Sequence, residues 1–276
     1  MEKRRMCPHC RAFITKNDRI CPYCNTEVGP RAADRRDPDP ILGGLIPQAH
    51  FTTSMILLVN FGLFAATALY SVRSGSGGWL SIDGLTLFQF GAKYREAVLG
   101  GQWWRLVTAG FLHGGLLHIL MNSWVLFDLG AQVEQIYGAR RLLVFYFAAT
   151  VAGFAASTWW SPALSVGASA GLFGLIGAMI ALGVRHKSAL GAAIRSLYMR
   201  WAIYGLIIGL LPGLRVDNAA HLGGLAAGFG CAYLAGLPSM IDNTREKLWK
   251  LASVAALVIT AYCFVQMFLW FRLSSG

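Results

Sequence analysis

Seven apolar segments, at about 51–71, 114–137, 141–160, 168–184, 200–214, 219–236 and 248–271, break this chain into alternating apolar and polar stretches. Each approaches the roughly 20 residues that a helix needs to cross a hydrocarbon core of about 30 Å, and nowhere does the strict apolar/polar alternation of strands appear. The expected class is therefore an all-α polytopic membrane protein. Composition agrees: 55% of residues are apolar and 13% charged, against about 25% charge in soluble domains. The net charge of +11 comes from short basic clusters between apolar runs, not from one aromatic-lined basic face. That distribution suits anionic lipid headgroups, and no nucleic-acid partner is expected.

The basic residues also orient the chain. With the N-terminus in the cytoplasm, the N-terminal region, Tyr137 to Arg141, Arg185 to Arg200, and Pro238 to Lys250 together hold 18 of the 24 Lys and Arg, as the positive-inside rule requires. A multi-pass protein of a bacterial inner membrane is expected. Val72 to Leu112 then lies outside, and its Trp79, Phe88, Phe90, Trp103 and Trp104 suit the membrane interface.

A strongly polar side chain at membrane depth is a candidate functional residue by default. The candidates are few: His113, His118, Asn122, Asp128 and Glu134 in or before the second segment, Ser169 opening the fourth, and His221 opening the sixth. These three segments run in the same direction, so His118, Asn122, Ser169 and His221 share one depth near the outer face. His118 and Asn122, four apart, share a helix face; His113 is expected to point away and to support the outer loop. Taken singly, His118 would be read first as an interhelical hydrogen bond and Ser169 as a packing serine; the joint pattern reverses this.

Ser169 lies in Gly167-Ala168-Ser169-Ala170-Gly171, a formal G-x-S-x-G, but the strand and doubly wound sheet of a nucleophile elbow are missing. The glycines serve another purpose. Gly171, Gly174 and Gly177 make the fourth segment slim, and Ala220, Gly224 and Gly228 give the sixth a small-residue face beside His221. Such faces allow close helix approach and can bring a serine hydroxyl within reach of an imidazole, the base that a serine nucleophile needs. Asp217, four residues before His221, is expected in the outer loop with only a small prospect of orienting the ring, and Glu134 is too deep to take part.

In order along the chain, Trp104-Arg105, His113-x4-His118-x3-Asn122, Gly167-Ala168-Ser169 and Ala220-His221-x2-Gly224-x3-Gly228 resemble the rhomboid family of intramembrane serine proteases over roughly residues 51–272. The resemblance implies a rhomboid-like six-helix core with a seventh C-terminal transmembrane helix. It further implies a catalytic Ser169–His221 dyad and an oxyanion site using His118, Asn122 and the Ser169 amide. Glu134 and Arg105 match structural positions, and Phe173 stands where an aromatic, commonly tyrosine, packs on the catalytic histidine. The implied substrates are transmembrane proteins cleaved near the outer face.

Cys7-x2-Cys10 and Cys21-x2-Cys24 form two knuckles ten residues apart. Four thiolates at this spacing suit a structural zinc, which a segment of this size needs in order to fold. A disulfide pair does not suit a cytoplasmic location. Residues 1–29 are read as a zinc-ribbon-like module with a possible cytoplasmic partner, 30–50 as a Pro-rich charged linker, and 51–276 as the membrane domain. Two rival functions remain: a catalytically silent rhomboid-like protein that binds membrane clients, and a transporter, whose polar site would sit at the midplane.

Overall fold

A computed structural model describes residues 4–15, 18–28, 50–212, 216–238 and 244–274. The chain divides into two compact units, Met1–Gln48 and Ala49–Gly276. The linker read at residues 30–50 lies, but for its last residue, outside the described residues.

The first unit is built on a short antiparallel hairpin, β1 (Arg4–Met6) and β2 (Phe13–Thr15), with Met6 opposite Phe13. Alternation along β2 turns Ile14 inward, where it joins Cys7, Cys21 and Val28 in a very small core.

The second unit is helical. Its elements are α1 (Phe51–Arg73), α2 (Gly84–Gln89), α3 (Arg95–Leu99), α4 (Arg105–Thr108), α5 (Leu116–Val125), α6 (Ala131–Trp160), α7 (Ser169–Arg185), α8 (Ala189–Ile208), α9 (Asn218–Ala235) and α10 (Thr244–Ser274). A 3-10 turn, Ala109–Phe111, follows α4, and a π-helical turn, Leu126–Gly130, joins α5 to α6. Each of the seven apolar segments contains helix among the described residues. Phe51–Arg73, Leu116–Trp160 and Thr244–Leu273 are each long and apolar enough to cross a membrane, and α7 is a shorter apolar helix. Gly138, at φ 78° and ψ 161°, breaks α6 and separates the second expected segment from the third; glycine adopts such a backbone freely. With Leu58, Leu69, Trp124, Phe127 and Leu234 exposed on its helices, the unit presents lipid, not water, with its surface. It is an integral membrane protein.

The fifth segment needs correction. It was read as 200–214, but α8 begins at Ala189 and ends at Ile208. Its start is fixed by Ser188, whose hydroxyl accepts the Gly191 amide at 3.1 Å as an N-cap. Arg195 and Arg200 are exposed on the helix itself, so charges that resemble a loop belong to its solvated first turns.

α7 is the hub, with every residue from Ala170 to Gly183 buried. Its neighbours reach it because the contact faces lack side chains: a Cβ on Gly228 would stand 2.0 Å from the Gly174 carbonyl oxygen, and one on Gly224 would stand 2.1 Å from that of Ala170. In lipid, where no hydrophobic drive joins helices, this backbone-level packing is the main source of association. α10 lies at the periphery, with only 11% of its most apolar window buried. A buried bidentate Arg141–Glu246 ion pair at 2.7 and 3.0 Å ties its first turn to α6.

Residues 74–115 connect α1 to α5 and carry α2, α3 and α4. Asp83 caps α2 by accepting the Thr86 amide at 2.8 Å. Burial would raise its carboxyl, but hydrogen bonds from Thr86, Ser76 and Ser71 outweigh this and hold it well below the usual carboxylate range. Arg105, fully buried, donates to the carbonyls of Phe88 at 2.7 Å and Ala92 at 2.9 Å and to Gln102 Oε1 at 2.6 Å.

Candidate active site and candidate metal centre

Ser169 opens α7 and His221 lies in the first turn of α9. Close packing of these two helices sets His221 Nε2 2.9 Å from Ser169 Oγ. The imidazole is almost fully buried. Phe173, one turn after Ser169, stacks on its face with centroids 4.0 Å apart and planes 10° apart, the packing expected of that position. The ring is thus held from the side and from its Nε2 edge, while Nδ1 has no partner among the described residues.

Asp217 does not supply that partner. Its carboxylate accepts the Ala220 amide at 3.0 Å as the N-cap of α9 and receives a short hydrogen bond from the Ser157 hydroxyl. Both oxygens serve helix ends, so the pair has no third carboxylate member there. Glu134 is likewise engaged elsewhere: it accepts the Thr52 and Thr53 amides, both at 2.9 Å, and the Thr53 hydroxyl at 2.7 Å, capping the N-terminus of α1.

On α5, His118 and Asn122 are one turn apart, and Asn122 Nδ2 donates to the His118 carbonyl at 3.0 Å. The His118 ring takes its tautomer from its neighbour. Nδ1 accepts the Gly114 amide at 3.3 Å, so the neutral ring carries its proton on Nε2. That nitrogen faces Gly167: a Cβ there would come within 2.8 Å of it and 3.5 Å of Ser169 Oγ. Gly167, at φ 137°, leaves this space open just before the serine. His113 was expected to face away, but it is fully buried and packs edge-on to His118 with centroids 5.2 Å apart. His113 precedes α5, so helical spacing does not set its direction.

Comparison with known proteins bears on the family. A Rhomboid domain is matched over residues 100–238, a span that contains His118, Asn122, Ser169 and His221. Rhomboid-like protease 1 of Toxoplasma gondii is 32% identical, covering 90% of this chain and 89% of its own length. The chain belongs to the rhomboid family. RHOMBOID-like protein 5 of Arabidopsis thaliana is 37% identical over 67% of each chain. Rhomboid protease GluP of Bacillus subtilis is also 37% identical over 55% of this chain, but the match spans only 30% of the GluP length.

In the N-terminal unit, Cys7, Cys10, Cys21 and Cys24 bring four Sγ atoms within 4.8 Å of one another. The two knuckles share one backbone pattern. Cys7 and Cys21 donate to the carbonyls of Ala12 and Thr26, and each knuckle closes on a residue of positive φ, Arg11 at 61° and Asn25 at 53°. The Cys7–Cys24 and Cys10–Cys21 sulfur distances are both 3.7 Å. A tetrahedron of thiolates about 2.3 Å from a zinc has edges of about 3.8 Å, whereas a disulfide needs about 2.05 Å. These four cysteines could hold a metal ion. The Thr26 hydroxyl and amide pull the Cys24 thiol down to about 5, and the Cys10 amide lowers Cys7 against the effect of burial. The Ala12 amide favours a Cys10 thiolate, but burial and three sulfur neighbours push that thiol up to about 12; four thiols without a cation cannot all ionise together.

Sequence reasoning missed two contributors. Ser157 holds the cap of α9, and Lys93 binds the segment ahead of Ser169. Nothing local marks either one, since both act through partners more than 50 residues away.

Proposed function

We propose that this rhomboid protein is an intramembrane serine protease that cleaves transmembrane substrates with Ser169 as nucleophile and His221 as general base. The observation that carries the reading is the 2.9 Å approach of a buried, face-stacked imidazole to the Ser169 hydroxyl.

Ser169 Oγ attacks the scissile carbonyl while its proton passes to His221 Nε2. The negative charge that develops on the carbonyl oxygen takes hydrogen bonds from the Ser169 amide, His118 Nε2–H and the second Asn122 amide hydrogen. The bond from the Gly114 amide to His118 Nδ1 supports the protonation that this needs, since it leaves the proton on Nε2. His221 then returns the proton to the leaving amine, giving an acyl-enzyme, and water, deprotonated by the same ring, releases the product acid and restores Ser169. One base is worth about 10² to 10⁴ in rate and one oxyanion donor about 10² to 10³. A dyad without a carboxylate is sufficient, since Phe173 fixes the ring that an acid would otherwise orient. The substrate is a membrane helix that unwinds locally near the outer face, with the N-terminus of this chain in the cytoplasm.

The N-terminal module carries one structural zinc on Cys7, Cys10, Cys21 and Cys24 and acts as a docking or regulatory element apart from the chemistry. The ion would organise the four thiolates and takes no part in hydrolysis.

The test is cleavage of a single-span substrate by purified protein with and without a serine-directed fluorophosphonate. Wild type should cleave and be blocked. Ser169→Ala and His221→Ala should each lose cleavage by on the order of 10⁴ or more, since a catalytic unit fails as a whole, while melting in detergent as wild type does. Undiminished turnover by Ser169→Ala would sink the assignment and leave the client-binding alternative.

A further inference from the structure

The outer loop and the nucleophile meet at a lysine. Lys93 is fully buried, yet among the described residues its ammonium forms no ion pair with a carboxylate; Nζ donates instead to the carbonyls of Ser161 at 2.8 Å and Ala163 at 3.1 Å. Its backbone pairs with Ser165 in both directions, the Lys93 amide donating at 3.0 Å and the Ser165 amide at 2.9 Å. One residue therefore grips three carbonyls and an amide of the 161–165 segment, which runs through Val166 and Gly167 into Ser169. A buried cation that serves only main-chain carbonyls costs desolvation, and the contacts it makes are all on the route to the proposed nucleophile.

The other side of Lys93 is anchored. The Gly91 carbonyl accepts the Thr108 hydroxyl at 2.7 Å, and the Ala92 carbonyl accepts Arg105 at 2.9 Å. The turn after α4 adds a second hold, since the Gly167 amide donates to the Ala109 carbonyl at 2.9 Å. α10 braces the same platform from outside: Phe271 lies 4.8 Å from Phe90, and Trp270 lies 6.1 Å from Phe88 between centroids.

We propose that Lys93 is a positioning residue for the nucleophile, stapling the segment that delivers Ser169 to the platform formed by Arg105 and Thr108. This rests on the protease reading. The effect is on reactivity and not on substrate capture, because a misplacement of the order of 1 Å at reacting atoms costs up to about 10²-fold.

The experiment compares wild type, Lys93→Met and Thr108→Val in detergent. It measures cleavage kinetics and the rate of fluorophosphonate labelling, each per folded molecule as determined by thermal unfolding. Lys93→Met should lower kcat and the labelling rate together by on the order of tenfold, with KM within about twofold. Thr108→Val keeps the side-chain shape but frees the Gly91 carbonyl, so it should lower both by a smaller factor in the same pattern; it carries the test if Lys93→Met does not fold. Wild-type kcat and labelling per folded molecule in the variants, or a change confined to KM, would overturn the staple. If wild type itself neither cleaves nor is labelled, the failure belongs to the protease reading.

Discussion

The two units of this protein bury their interiors by opposite means. In the N-terminal unit the described core is Cys7, Ile14, Cys21 and Val28, too little apolar area to order a chain against its conformational entropy. On the proposed reading, its stability comes from a zinc held by the four sulfurs. In the membrane unit the interior is closed by subtraction: glycines at Gly174, Gly224 and Gly228 remove side chains until backbones touch, and polar residues such as Glu134 and Asp217 are each consumed by a helix terminus. If the proposed zinc organises one unit while shape organises the other, they should fail under different insults.

Metal removal should separate them most sharply. Structural zinc in small modules contributes about 10 to 16 kcal/mol of apparent binding free energy that is also folding free energy. Elemental analysis should find about one zinc per chain, and chelation or the Cys7→Ser/Cys10→Ser pair should remove it and collapse amide-exchange protection in residues 4–28. Protection that survives metal loss would erase the contrast.

Next in size is the proposed oxyanion site. Asn122→Ala and His118→Ala should lower kcat by on the order of 10 to 10³ with little change in substrate binding. Weaker binding at unchanged kcat would make this face a docking surface instead. Gly228→Ala probes the shape argument with a single methyl: it forces apart backbones that now touch and should destabilise the membrane unit by about 1 to 3 kcal/mol. The metal content should be untouched, and a melting midpoint equal to wild type would show that the contact can relax freely. The smallest effect is expected for a chain beginning at Ile41, which should cleave within about twofold of the full chain. A folded but inactive truncation would mean that the two units are coupled after all.

What the sequence makes legible depends on the range of the interaction. The helical segments announce themselves by local hydropathy, and the four cysteines by local spacing. Ser169 and His221 stand out as candidates because polar groups at membrane depth are rare and these share one level. Their 2.9 Å approach also rests on small residues that the sequence displays openly at i and i+4. Where charge lay on a helix, the reading slipped: Arg195 and Arg200 hid the first half of α8. Contacts between distant segments were invisible. Lys93 looked like one of a few basic residues on the outer side, and Asp217 like a loop residue with a small prospect of orienting His221; its role as the N-cap of α9 follows from its place before Asn218, a signal that was present and passed over.

The carboxylate that caps α1 has a consequence for how the protein is made. Thr52 and Glu134 are 82 residues apart. At a synthesis rate of about 5 to 20 residues per second, the first membrane helix waits on the order of 4 to 16 seconds before the residue that closes its end has even been polymerised. Through that interval the bonds that Thr52 and Thr53 donate to Glu134 cannot form, and the leading amides of the helix need other partners. Closure comes when α6 arrives and delivers Glu134, so the bond that finishes the oldest helix also records that the bundle around it has been assembled.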